Sequence, residues 1–167
     1  MEGVARHLPH VKEIAAHASA LSSQQQHKAA MLLYERLMRM EDRNSRAATA
    51  HAVELMNGGN VSQALEEMKK VCKEFPQDAL AFRTRGAIEF RVGDTPAAIQ
   101  SFDEAVRLKP DFVDVHRALL LIFQLQKQTE RIEAQFRILL ALVPADEDLR
   151  AQYETFQNDC GQQPNRK

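Results

Sequence analysis

ALAFRTRGAIEFRVGDTPAAIQSFDEAVRLKP, residues 79–110, carries the first clear structural pattern in this chain. Phe82, Gly86, Ile88 and Phe90 fall in a first segment. Ala98, Ile99, Phe102, Ala105, Val106 and Leu108 recur at helical spacing in a second. Between them Gly93-Asp94-Thr95-Pro96 supplies a stop and a start. Gly93 suits the left-handed conformation that ends a helix. Thr95 is the expected N-cap, with Pro96 pre-set for the first turn. Pro110 closes the second segment, because proline lacks an N–H and clashes inside a helix. The small residues Gly86, Ala98 and Ala105 let two helices approach closely, and Phe82 and Phe102 fill the space beside them.

The same pattern recurs on either side. Pro76, Pro110 and Pro144 follow one another at a constant step of 34. At that period Gly93-Asp94 maps back to Gly59-Asn60, and Ala98 maps to Ala64 and Ile132. Phe102 maps to Met68 and Phe136, and Gly86 to Ala52 and Leu120. A fixed period of this size marks a stacked repeat. Three units follow: 45–78, 79–112 and 113–146. The third departs most, with Leu120 and Ile132 at small-residue positions and Lys127 where the others hold glycine.

These residues resemble the tetratricopeptide repeat (TPR) family, on Phe82, Gly86, Gly93, Asp94, Ala98, Phe102, Ala105, Leu108 and Pro110 above all. The resemblance implies an all-α fold, a right-handed superhelix of helix-turn-helix repeats (an α-solenoid). Solenoid ends need covering, and residues 147–159 are expected to form a C-terminal capping helix, with Leu149, Tyr153 and Phe156 on its apolar side. Residues 160–167 are expected to be a disordered tail. Upstream, residues 1–44 read as a helical pair, either a degenerate fourth repeat or a dimerisation hairpin.

In that family the first helix of each unit lines a concave groove. The resemblance therefore implies a peptide groove of Arg46, Thr49, Val53 and Met56 in the first unit. The second would add Leu80, Arg83, Ala87 and Phe90, and the third Asp114, Arg117, Leu121 and Gln124. An apolar floor flanked by arginines suits a partner with acidic and apolar residues, since guanidinium binds carboxylate at two points. Members that grip acidic chaperone C-termini use lysine, asparagine and arginine at set positions. Here those positions hold Thr49, Val53, Thr84, Asp114 and Ala118, which disfavours that subclass.

Composition narrows the remainder. The 167 residues are 44% hydrophobic, 6% aromatic and 27% charged, with 22 basic against 23 acidic side chains and a net charge of −1. That balance argues against nucleic acid as a partner. No apolar run is long enough for membrane insertion, and the N-terminus does not read as a secretory signal. Cys72 and Cys160 read as reduced thiols of a cytoplasmic protein. His7, His10 and His17 cluster without metal-site spacing. His51 and His116 read as structural, Glu66-Glu67 as a solvated face and Cys72 as core. No catalytic constellation, cofactor motif or metal site emerges. The expected function is a non-enzymatic adaptor or scaffold with a protein or peptide partner. A type III secretion-type chaperone and an oligomerising assembly factor, hence a homo-oligomer, are the alternatives.

Overall fold

The computed structural model describes residues 8–40 and 44–161. His7 and the tail residues 162–167 lie outside the described residues. Within them the chain forms nine α-helices and no strand. These are α1 (Leu8–Ser23), α2 (His27–Met40), α3 (Ser45–Asn57), α4 (Val61–Glu74), α5 (Ala79–Arg91), α6 (Thr95–Leu108), α7 (Val113–Leu125), α8 (Thr129–Leu142) and α9 (Glu147–Gly161). They fall into two compact units, one ending at Leu108 and one beginning at Lys109.

The helices keep one register. α3, α5, α7 and α9 begin at Ser45, Ala79, Val113 and Glu147, and α2, α4, α6 and α8 begin at His27, Val61, Thr95 and Thr129. Each set steps by 34. The backbone explains why. Among the described residues, those with positive φ are Gln25 (59°), Gly59 (89°), Gly93 (86°) and Lys127 (55°), again one period apart. Every turn from a first helix into a second passes through one left-handed residue at the same place. Glycine adopts that conformation without a Cβ penalty, whereas Gln25 and Lys127 carry it at a cost of about 1–2 kcal/mol each.

Capping repeats with the same step. Asn44 accepts the Ala47 N–H at 2.9 Å, Asp78 accepts those of Leu80 and Ala81 at 2.9 and 3.3 Å, and Asp146 accepts that of Leu149 at 2.9 Å. The fourth equivalent, Phe112 before α7, makes no side-chain cap. At α6 the expected cap moves by one residue. Asp94, not Thr95, accepts the Ala97 N–H at 3.1 Å, and Thr95 is the first helical residue. The carboxylate is the stronger acceptor for these orphan donors.

In the first unit each helix packs on the next, and α3 also packs on α5. The core joins Ala48, Ala52 and Leu55 of α3 to Ala64, Met68, Val71 and Cys72 of α4 and to Ala81 and Ile88 of α5. A smaller cluster joins Ile14 of α1, Leu37 of α2 and Ala47 of α3. α5 and α6 pair most intimately. Gly86 is the reason: a Cβ there would stand 2.8 Å from the Phe102 ring. In the second unit the Phe136 ring of α8 lies 5.2 Å from Tyr153 and 5.7 Å from Phe156, seating α9 on an aromatic cluster. α9 continues through Cys160 to Gly161, past the expected end of the cap at residue 159.

Two substitutions check this account by urea denaturation. Gly86→Ala gains about 1 kcal/mol of helix propensity. It also drives a methyl group into a buried, rigid ring, which costs about 1–3 kcal/mol, so a net loss of stability is expected. Lys127→Gly relieves the left-handed turn and is expected to stabilise the chain by about 0.5–1 kcal/mol.

Candidate protein-interaction face

The first helices of the first unit present the candidate surface. An open cleft of about 410 Å³ lies between α1, α2 and α3. Its apolar lining includes Val11 and Ala15 of α1, Leu37 of α2 and Ala47 of α3, with Lys12 and Arg46 among its polar residues. Lys12 and Arg46 occupy matching positions one repeat period apart, and both are exposed. Neither makes an ion pair among the described residues. Tyr34 also lines the cleft. Burial, with the charge of Glu54 adding to it, pushes its phenol above the ordinary tyrosine value, so it stays a neutral donor.

The structure distributes the expected groove residues unevenly. On α3 Arg46 is exposed, and Val53 and Met56 are half-buried. Thr49, expected in the groove, is only 4% exposed and cannot meet a ligand. α3 packs against α2, α4 and α5, leaving too narrow a solvent strip for it. On α5 Leu80 is exposed, and Arg83, Ala87 and Phe90 are half-buried. Because α3 and α5 pack together, these two sets share neighbouring helices of the first unit. In the second unit Arg117, Leu121 and Gln124 are exposed on α7, which also carries Asp114. Arg117, however, pairs with Asp146, the residue that caps α9. The Leu149 backbone N–H, and then Arg117, hold the Asp146 carboxyl below the usual aspartate range. Thus Arg117 ties α7 to the start of α9.

Sequence reading missed Lys12, although its place one repeat period before Arg46 is a usable signal. It also missed a set of buried polar bridges between the helices of each pair. Glu67, Ser101 and Gln135 occupy equivalent positions on α4, α6 and α8. Each reaches the preceding helix: Glu67 to His51 at 2.9 Å, Ser101 donating to Glu89 at 2.5 Å, and Gln135 to His116 at 2.9 Å. Glu67 is therefore half-buried and bonded rather than the solvated face residue expected. Glu54, 2% exposed on α3, accepts from Ser22 at 2.5 Å and meets the His27 ring at 2.7 Å. A buried carboxylate is tolerated only with such partners.

No group of three or more histidine, cysteine or acidic residues among the described residues is arranged to hold a metal. No helix there is long and apolar enough to cross a membrane.

Solved structures share this architecture. MamA superposes with a TM-score of 0.72 at 16% identity, over 86% of this chain and 84% of that one. A MamA chain beginning at residue 41, from Desulfovibrio magneticus RS-1, gives 0.68 at 16%, over 82% and 77%. A tetratricopeptide repeat protein from Parabacteroides merdae gives 0.73 at 14%, over 90% of this chain and 60% of that one. No protein-family model and no curated protein matches the sequence. At these identities the likeness establishes the fold alone: an all-α solenoid of tetratricopeptide-type helix pairs.

The two thiols differ in exposure. Cys72 is buried and pushed up to about 11, whereas Cys160 is exposed. A thiol reagent at pH 8 is expected to label Cys160 at once and Cys72 only on unfolding, as mass spectrometry of the labelled peptides will read.

Proposed function

We propose that the protein is a non-enzymatic adaptor that holds a peptide or helix of a partner protein along the face of α1, α3 and α5. The cleft carries this reading: an apolar lining together with Lys12 and Arg46, neither ion-paired among the described residues. Such a surface buries apolar anchors of a segment and meets its carboxylates with cations. Val53, Met56, Ala87 and Phe90 extend the apolar part, with Arg83 as a further cation beside it. The second unit offers Leu121 and Gln124 on its own α7. Arg117 contributes less than its position suggests, because Asp146 already engages it.

The reading also takes α1 and α2 as a fourth repeat. Gln25 adopts the left-handed turn one period before Gly59, and α2 starts in the same register as α4, α6 and α8. Free thiols suit the cytoplasm as the place of action. A second reading, an assembly factor that self-associates, draws support from Leu32 and Leu125, which are 64% and 65% exposed. A type III secretion-type chaperone would use the same general surface for its client.

The double charge reversal Lys12→Glu with Arg46→Glu separates these readings. Pull-down from the native lysate is expected to lose the partner by about tenfold, with binding to the wild type weakening as salt rises. Partners retained at full strength would refute the adaptor reading at this face. Light scattering across concentration, comparing wild type with Leu32→Glu and Leu125→Glu, reads self-association independently.

A further inference from the structure

His51 stands where two carboxylates converge. It lies on α3, 6% exposed, with Nδ1 at 3.0 and 2.9 Å from the two carboxylate oxygens of Glu67 on α4. Its Nε2 points the other way and lies 3.6 Å from Glu35 Oε1 on α2. A neutral imidazole has one N–H and one lone pair. In either tautomer, one ring nitrogen would then turn a lone pair toward a carboxylate. Only the imidazolium presents an N–H to both. The buried Nε2 has no hydrogen-bond partner among the described residues, so its tie to Glu35 is electrostatic and depends on the ring's charge.

We propose that His51 is a proton-controlled clamp: protonated, it ties α2 to the α3–α4 pair through Glu35 and Glu67, and on losing its proton it loosens its hold on α2. α2 supplies Tyr34 and Leu37 to the cleft described above, so the clamp also governs one wall of that surface. The clamp does not depend on what the cleft binds.

The surrounding charges favour this role. The hydrogen bond to Glu67 raises the His51 value most. Burial opposes it, and the charges of Glu67 and Glu35 raise it further, leaving it above the ordinary histidine value. From α2, Glu35 faces the ring and lies 3.6 Å from Arg39. From α4, Glu67 faces it, with Lys70 lining the same shallow groove as Glu67. Glu66 is turned to solvent and paired with Lys69. On α3 itself, Glu54 is occupied by Ser22 and His27. From α5, Glu89 is closed on Arg85 and Ser101. A histidine whose folded value is raised stabilises fully below its unfolded value of about 6.5. That contribution disappears as pH climbs through the higher folded value. Acid therefore tightens α2, and mild alkali loosens it.

Amide hydrogen exchange on the full chain, corrected for intrinsic rates, tests this between pH 6 and pH 8. Protection of α2 is expected to fall by about three- to tenfold across that range, while α7 and α8 serve as the reference. His51→Gln keeps a donor for Glu67 but cannot titrate, and it should flatten the slope. Glu35→Gln leaves the His51–Glu67 bond in place and should flatten the α2 slope on its own, which keeps the test decisive if His51→Gln does not fold. A pH-independent α2 in the wild type would overturn the clamp, as would an unchanged slope in Glu35→Gln. An equal loss across every helix of the first unit would do so too, since it would assign the proton to global stability.

Discussion

A single left-handed residue sets the geometry of each helix pair. A first helix ends, the chain takes one residue of positive φ, and the second helix starts in a direction that folds it back on the first. The residues that do this are Gln25, Gly59, Gly93 and Lys127. Because the step between them never varies, each pair begins with its apolar stripe at the same place in its sequence. The packing then follows from helical periodicity: Ala52 and Met68 take the positions in one pair that Gly86 and Phe102 take in the next. Where the turn residue is not glycine, the surrounding packing has to hold it there.

Within that frame the helix pairs are joined by polar as well as apolar contacts. Small residues dominate the α3 side of the core, which brings the backbones close and leaves room for polar side chains between helices. Glu54, Glu89, His51 and His116 are all nearly fully buried, and each is bonded to a neighbouring helix. Burial makes such groups costly alone and specific when paired. They fix which helix faces which, more sharply than alanine contacts can. They also leave the first unit's cations Lys12 and Arg46 on the surface, outside the bridges that consume the acids.

The repeat was legible because it depends on residues close in sequence: a glycine, an aromatic and a proline at fixed offsets. The helix starts and the close approach at Gly86 could be read from that spacing. The cap of α6 was misplaced by one residue because Asp94 and Thr95 are both good cap residues, and only the backbone direction distinguishes them. The exposure of the residues expected to line a groove was legible in part. Arg46, Leu80 and Leu121 are at the surface as their helix faces suggest. Thr49 is buried because α3 is packed on more sides than a two-helix pattern implies. Glu67 read as a solvated face because nothing nearby in sequence shows that His51 lies across from it.

The amino-acid sequence by itself determined the length of the unit, the positions of the turns and the all-helical class, since these follow from local conformational preference and period. The tertiary structure alone decided which polar groups meet. His51 lies between Glu35 and Glu67, separated from each by 16 residues in opposite directions along the chain, and Arg117 reaches Asp146 across 29. Such pairings depend on how far each helix rotates about its axis when it packs. That rotation is set by the fit of side chains from several helices at once, and no local stretch contains it.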